Sequence, residues 1–316
     1  MEIIRHILII LILLVAVLFV AGGLTWGERR LLALWQDRYG PNRVGPGGLL
    51  QVLADMIKLF MKEDWIPPFA DKLVFLLAPA VIVMATTMSF SVIAFAPGIV
   101  VADLNIGLLF FLAMSSMAVY SVVLGGWASN NKYALLGSIR AVGQMLSYEV
   151  FMGLSLMGVV MLTGSFSLGA IVRAQQHLWF CVPQCLGLLI FFTAGLAETR
   201  RIPFDLPEAE NELVAGYHTE YSGMKFASFF LGEYIGITLI SALVTACFFG
   251  GWLGPWLPPL VWFLIKMFVL IAVFILIRGS LPRPRYDQLM EFGWKLMLPL
   301  ALLNLLVTAG VALAIR

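Results

Sequence analysis

The sequence predicts an all-α fold: a polytopic membrane helix bundle of about eight transmembrane helices, with a short amphipathic interfacial helix in the first cytoplasmic loop. Three observations predict it. The 316 residues are 61% hydrophobic and 12% charged, with a mean hydropathy of +0.96, far outside the composition of a soluble domain. Apolar runs long enough to cross about 30 Å of hydrocarbon as a helix of roughly 20 residues recur along the chain. The basic residues crowd into every other connection, the asymmetry that orients spans in a bilayer. The whole of residues 1–316 is therefore read as a single integral membrane domain.

The first apolar run covers residues 7–25. Arg29 and Arg30 follow it and only Arg5 precedes it, the reverse of a signal peptide, so a retained helix with its N-terminus outside is expected. The mixed piece from Gly27 to Lys72 passes through Gly40-Pro41-Asn42-Arg43-Val44-Gly45-Pro46-Gly47-Gly48, whose glycines and prolines exclude a continuing helix. Beyond it, Leu49, Leu50, Val52, Leu53, Met56, Ile57, Leu59, Phe60 and Met61 recur at helical intervals, with Gln51, Asp55, Lys58 and Lys62 on the other side. That pattern fits a helix lying in the membrane interface or one packed on a partner subunit.

The remaining runs fall near residues 73–95, 104–125, 141–163, 183–199, 227–249, 258–277 and 296–314. Connections one, three, five and seven hold 16 of the 20 Lys and Arg residues; the others are Arg5, Arg173, Arg316 and, inside a span, Lys266. The odd connections are thus expected in the cytoplasm and both termini on the outer side. No repeat, low-complexity segment or inverted half stands out. A net charge of +2 without a basic patch gives no nucleic-acid signal. Cys181, Cys185 and Cys247 match neither a zinc nor an iron-sulfur spacing.

No nucleotide-binding glycine loop, zinc-protease motif or nucleophile elbow occurs. The chemistry on offer is instead a set of ionisable residues where a bilayer makes charge costly. Glu149 follows Arg140 in the fourth span, Glu198 closes the fifth, Glu233 opens the sixth and Lys266 lies within the seventh. A charge near the bilayer centre costs at least about 2.5–3.5 kcal/mol, so such residues need partners, water or a proton. Snorkelling and interhelical ion pairs are the structural alternatives.

The fifth connection is densest in acids: Glu198, Asp205, Glu208, Glu210 and Glu212, with Glu220 beyond. A helix starting after Asp205 would put Asp205, Glu208 and Glu212 on one face. Asp205 with Glu208 also fits a capping box, which would explain part of the pattern without function. It does not explain Glu212 or Glu220, and an acidic funnel beside buried carboxylates would serve proton entry.

Longer motifs then carry a resemblance. Gly27-Glu28-Arg29-Arg30, Arg38-Tyr39-Gly40-Pro41-Asn42-Arg43-Val44-Gly45, Ala54-Asp55-Met56-Ile57-Lys58-Leu59-Phe60, Ser147-Tyr148-Glu149-Val150, Pro203-Phe204-Asp205-Leu206-Pro207-Glu208-Ala209-Glu210 and Gly216-Tyr217-His218-Thr219-Glu220-Tyr221-Ser222-Gly223-Met224 resemble the H-subunit family of bacterial NADH-quinone oxidoreductase, respiratory complex I. The mitochondrial counterpart is NADH dehydrogenase subunit 1. Arg200 is a departure, since the family often carries asparagine there.

The resemblance implies a membrane-arm subunit that binds no redox cofactor of its own and is inactive alone, with FMN and iron-sulfur clusters in partner subunits and quinone, such as ubiquinone, as substrate. It implies the peripheral-arm subunits B, CD and I and the membrane-arm subunits A, J and K as neighbours, in a bacterial inner membrane with both termini periplasmic. Carried over by motif, Glu28, Arg29, Asp55 and Arg278 would lie at a quinone chamber, as would Asp205, Glu208, Glu210 and Glu212. Glu149, Glu198, Glu220 and Glu233, with Arg140, would couple quinone reduction to proton translocation. A membrane-bound hydrogenase subunit, a stand-alone proton or sodium carrier and a purely structural anchor are the alternatives.

Overall fold

The computed structural model describes residues 2–207 and 214–315. Their long elements are helices: α1 Glu2–Trp35, α2 Gln51–Met61, α3 Lys72–Ser89, α4 Gly107–Ala128, α5 Lys132–Thr163, α6 Leu168–Ala174, α7 Cys185–Glu198, α8 Gly223–Phe248, α9 Pro259–Ser280, α10 Tyr286–Glu291 and α11 Leu298–Ile315. A π-helical stretch, Phe292–Met297, joins α10 to α11. Seven of the helices are long and apolar enough to cross a membrane, and α7 is a shorter apolar one. The bundle is polytopic, with the expected fifth span, residues 183–199, formed as the 14 residues of α7.

Helix α8 is apolar around its circumference and is accordingly enclosed, packing against α1, α3, α7 and α9. Helix α5 is the second axis, flanked by α4, α7 and α11. Asn131 caps α5, accepting from Tyr133 N at 2.9 Å, and Gly164 ends it at φ 68, the left-handed exit that glycine adopts without strain. Close approach matters at Gly137 on α5: a Cβ there would lie 2.7 Å from Gly216 Cα, so only glycine lets the Gly216–His218 turn reach the helix.

Helix α1 continues ten residues beyond its apolar run, carrying Glu28, Arg29 and Arg30 as helical residues. On α2, Leu53, Met56, Ile57 and Phe60 are all exposed, while Asp55 turns toward α1. The apolar face therefore has no cover within the described residues, which suits either of the two settings expected for it.

At the end of the bundle where α5 finishes and α9 begins, buried polar groups are paired with neutral partners. Gln175 donates to Ala246 O at 2.8 Å and accepts from Gly250 N at 2.9 Å and Phe180 N at 3.2 Å. Gln184 donates to Thr308 Oγ1 at 2.6 Å and accepts from Asn304 Nδ2 at 2.8 Å, tying α11 to the start of α7. Lys266 Nζ donates to the carbonyls of Phe249, Gly251 and Leu253 at 2.7, 3.0 and 2.6 Å, beneath the Trp179 ring. Of the two roles open to Lys266 in the sequence, its contacts are those of a structural clamp: all three ammonium protons are used in closing the turn between α8 and α9.

Candidate functional site

Glu28, Glu233 and Arg278, three of the ionisable residues singled out in the sequence, gather at the opposite end, where α1 and α9 finish and α8 begins. Glu28 stands about two turns before the end of α1, buried at 4% exposure. Tyr234 Oη donates to its Oε2 at 2.8 Å. Arg278 of α9 is ion-paired with its Oε1, and Arg201 Nη1 lies 3.7 Å from the same oxygen.

Arg201 also reaches Glu233 on α8, with Nη2 3.5 Å from Oε2. Glu233 in turn has Arg200 Nη2 at 3.6 Å and accepts from Tyr217 Oη at 3.4 Å. The two guanidiniums lie over aromatic rings, Arg201 over Tyr234 at 4.4 Å and Arg200 over Tyr217 at 5.0 Å, an environment that guanidinium tolerates better than a lysine ammonium would. A buried charge is retained only when paired and hydrogen-bonded, and here two carboxylates share three guanidiniums and two phenols.

The chain turns into this network at Arg200, whose φ of 52 lies in the left-handed region. Asparagine enters that region far more readily than arginine. That is a physical reason for asparagine at this place in the family that the sequence resembles. Gln144 on α5 pins the same segment, donating to Ala197 O at 2.8 Å and Phe204 O at 2.9 Å.

Two spaces adjoin the network. An open pocket of about 420 Å³ is lined by Glu28, Arg29, Arg38, Tyr39, Tyr234 and Arg278, with Leu32, Gly40, Pro41 and Phe230. Arg29 on its wall pairs with Asp55 Oδ2 at 2.8 Å, and Gln51 donates to Asp55 Oδ1 at 3.0 Å. On the other side of Glu233 lies an internal cavity of about 40 Å³, whose lining includes Glu198, Arg200, Glu233, Ser115, Ser89 and Thr86. About 10–15 Å³ suffices for one water, so it has room for two or three. Among the described residues, Glu198 Oε2 is buried there without a hydrogen-bond partner.

Glu149 on α5 is half-buried, and its Oε1 accepts from Ser115 Oγ at 3.1 Å and from Ser116 Oγ. Asp205 lies in the connection after α7; burial pushes its carboxyl up to about 6, against the pull of Arg283, Arg201 and Arg200. Glu220 stands apart from the network, accepting from Asn131 Nδ2 at 2.6 Å at the start of α5. Arg140 lies over the Tyr286 ring at 5.9 Å. Glu208, Glu210 and Glu212, and with them the helix expected after Asp205, fall outside the described residues.

The structure thus unites Glu28, Arg278 and Glu233, residues assigned to two different roles by motif, through Arg201. Sequence reasoning missed Arg201, Tyr234, Tyr217 and Gln144 as members of the site. A signal existed for Ser115 and Ser116, a polar pair in the middle of the otherwise apolar α4.

The NADH dehydrogenase family model matches residues 7–309. The chain is 60% identical over 304 residues to the H subunit of NADH-quinone oxidoreductase from Methylococcus capsulatus (strain ATCC 33009 / NCIMB 11132 / Bath), a span covering 96% of each chain.

Proposed function

We propose, from the premise that this chain belongs to the NADH dehydrogenase family, that it forms much of the quinone chamber of a proton-pumping NADH-quinone oxidoreductase and couples quinone reduction to proton translocation. It is a membrane subunit of H type, set in a bacterial inner membrane with both termini periplasmic. Electrons arrive from FMN and iron-sulfur clusters held by partner subunits. The chain supplies no redox group and works only in the assembled complex, beside subunits B, CD and I of the peripheral arm and A, J and K of the membrane arm.

One observation carries the reading: the open pocket and the internal cavity share one ion-pair network. Glu28 lines the pocket, Glu233 lines the cavity, and Arg201 lies 3.7 Å from one and 3.5 Å from the other. Quinone reduction to quinol takes two electrons and two protons, so it changes the charge demand at the chamber. A change of charge at Glu28 alters the pull on Arg201, and a displaced Arg201 changes which form of Glu233 is favoured. Glu28, Arg29, Asp55 and Arg278 act at the chamber with Asp205, Glu208, Glu210 and Glu212. Glu149, Glu198, Glu220, Glu233 and Arg140 act in coupling.

The test is NADH oxidation in membranes carrying Asp55→Asn, with quinone as acceptor and, in parallel, with an artificial acceptor that bypasses it. Loss of the quinone-dependent rate with bypass activity and native-gel assembly intact is the expected result. Full quinone activity would remove Asp55 from the chamber and require its outline to be redrawn.

A further inference from the structure

We infer that the Ser115 hydroxyl is a proton relay between the internal cavity and Glu149, carrying a proton from Glu198 to Glu149. The inference rests on the reading that these two carboxylates belong to the coupling path. Four hydroxyls line the cavity, those of Thr86, Ser89, Ser115 and Thr199. Thr86, Ser89 and Thr199 donate to carbonyls of their own helices. Ser115 is the one that also touches a carboxylate.

The hydroxyl has one proton and two acceptors in reach, Leu112 O at 3.0 Å and Glu149 Oε1 at 3.1 Å. Turned to Glu149 it donates while its lone pairs stay open to an incoming proton; turned to Leu112 O it leaves Glu149 and the relay is interrupted. Glu149 does not line the cavity, so Ser115 is where the space beside Glu198 meets it. Ser116 holds the same Glu149 oxygen from outside the cavity and serves as a positioning residue.

The step balances without a co-reactant. The Glu198 carboxyl releases a proton to a water in the cavity, that water gives one of its own to Ser115 Oγ, and the original Ser115 proton passes to Glu149 Oε1. Glu198 ends as the carboxylate and Glu149 as the acid. Rotation of the hydroxyl until its new proton again points at Glu149 Oε1 resets the relay.

The experiment compares Ser115→Ala, Ser115→Thr, Ser116→Ala and Glu149→Gln in the assembled complex, reading NADH:quinone turnover, protons moved per electron, and the solvent deuterium isotope effect on turnover. Positioned proton transfer contributes on the order of 10²–10⁴-fold. Ser115→Ala is expected to lower coupled turnover at least about tenfold and to raise the isotope effect. Threonine, which keeps the hydroxyl, restores most of the rate, and Ser116→Ala costs less than Ser115→Ala. If the alanine variant does not assemble, Ser115→Cys, which keeps the shape but donates weakly, takes its place.

Wild-type turnover and pumping in the Ser115 variant, with Glu149→Gln impaired, would overturn the relay alone. A threonine variant as impaired as alanine would also overturn it, leaving Ser115 a packing residue. Wild-type behaviour of Glu149→Gln would sink the coupling reading itself.

Discussion

The two ends of the bundle solve the same problem, buried polar groups in an apolar protein, in opposite ways. Around Gln175, Gln184 and Lys266 the partners are neutral and most hydrogen bonds lie between 2.6 and 3.0 Å. Around Glu28 and Glu233 the partners include charged groups, several contacts stretch to 3.4–3.7 Å, and Glu198 and Asp205 each keep a buried oxygen without a hydrogen bond among the described residues. A saturated amide has one arrangement. The Arg201 guanidinium lies at nearly equal distance from two carboxylates, 3.7 Å from Glu28 and 3.5 Å from Glu233, so a change of charge on either alters its pull on the other.

The sharpest way to break this contrast is Arg201→Met. It strips the cation shared by Glu28 and Glu233, leaving Glu28 with Arg278 and Glu233 with Arg200, so the two carboxylates stay paired but lose their link, and loss of a partner from a buried ion-pair network costs up to about 3 kcal/mol. Little assembled complex is expected on a native gel, and near-normal assembly would mean the network is not one unit. At the other end, Gln175→Leu leaves Ala246 O, Gly250 N and Phe180 N without the partner that Gln175 gives them, at about 1–3 kcal/mol for each orphaned group. A lower midpoint of thermal inactivation is expected with an unchanged KM for quinone; an altered KM would show that the two ends communicate.

Asp205→Asn sharpens the charged end. Its carboxyl titrates at about 6 instead of 3.8, so the folded state binds more protons than the unfolded state between those values, and stability falls as pH rises through that window. Heat inactivation measured from pH 4 to 7 should show this decline in the wild type and a flatter profile, more stable above pH 6, in Asp205→Asn. The smallest effect is expected for Arg29→Gln. Its pair with Asp55 is partly exposed, so stability should change by no more than about 1 kcal/mol. The quinone KM is the quantity that should move, and a large loss of stability would place this pair with the buried network instead.

The fold was largely readable because hydrophobic length reports directly on helices in a bilayer. The boundary of α1 was not: its apolar run stops near residue 25, yet the helix persists to Trp35, because Glu28 and Arg29 find their partners on α2, α8, α9 and the connection after α7. The acids of the site were visible as costly charges in apolar sequence. Their grouping was not, since Arg201 looks like one more orienting charge and its bridge between residues 28 and 233 exists only in three dimensions. Lys266 stood out for the same reason as the acids, but the carbonyls that satisfy it come from a turn whose shape the sequence does not reveal.

The π-helical stretch Phe292–Met297 sets a rotational phase. Each residue in an α-helix advances the direction of the side chain by about 100°, and a π turn accommodates one residue more than an α turn. Asn304 and Thr308 meet Gln184 because that wide turn absorbs the extra residue. Deleting a single residue between 292 and 297 would let the wide turn close into an α turn with Asn304 and Thr308 still facing Gln184, whereas deleting one residue of α11 before Asn304 would swing the rest of the helix by roughly 100° and present a different row of side chains to α5 and α7.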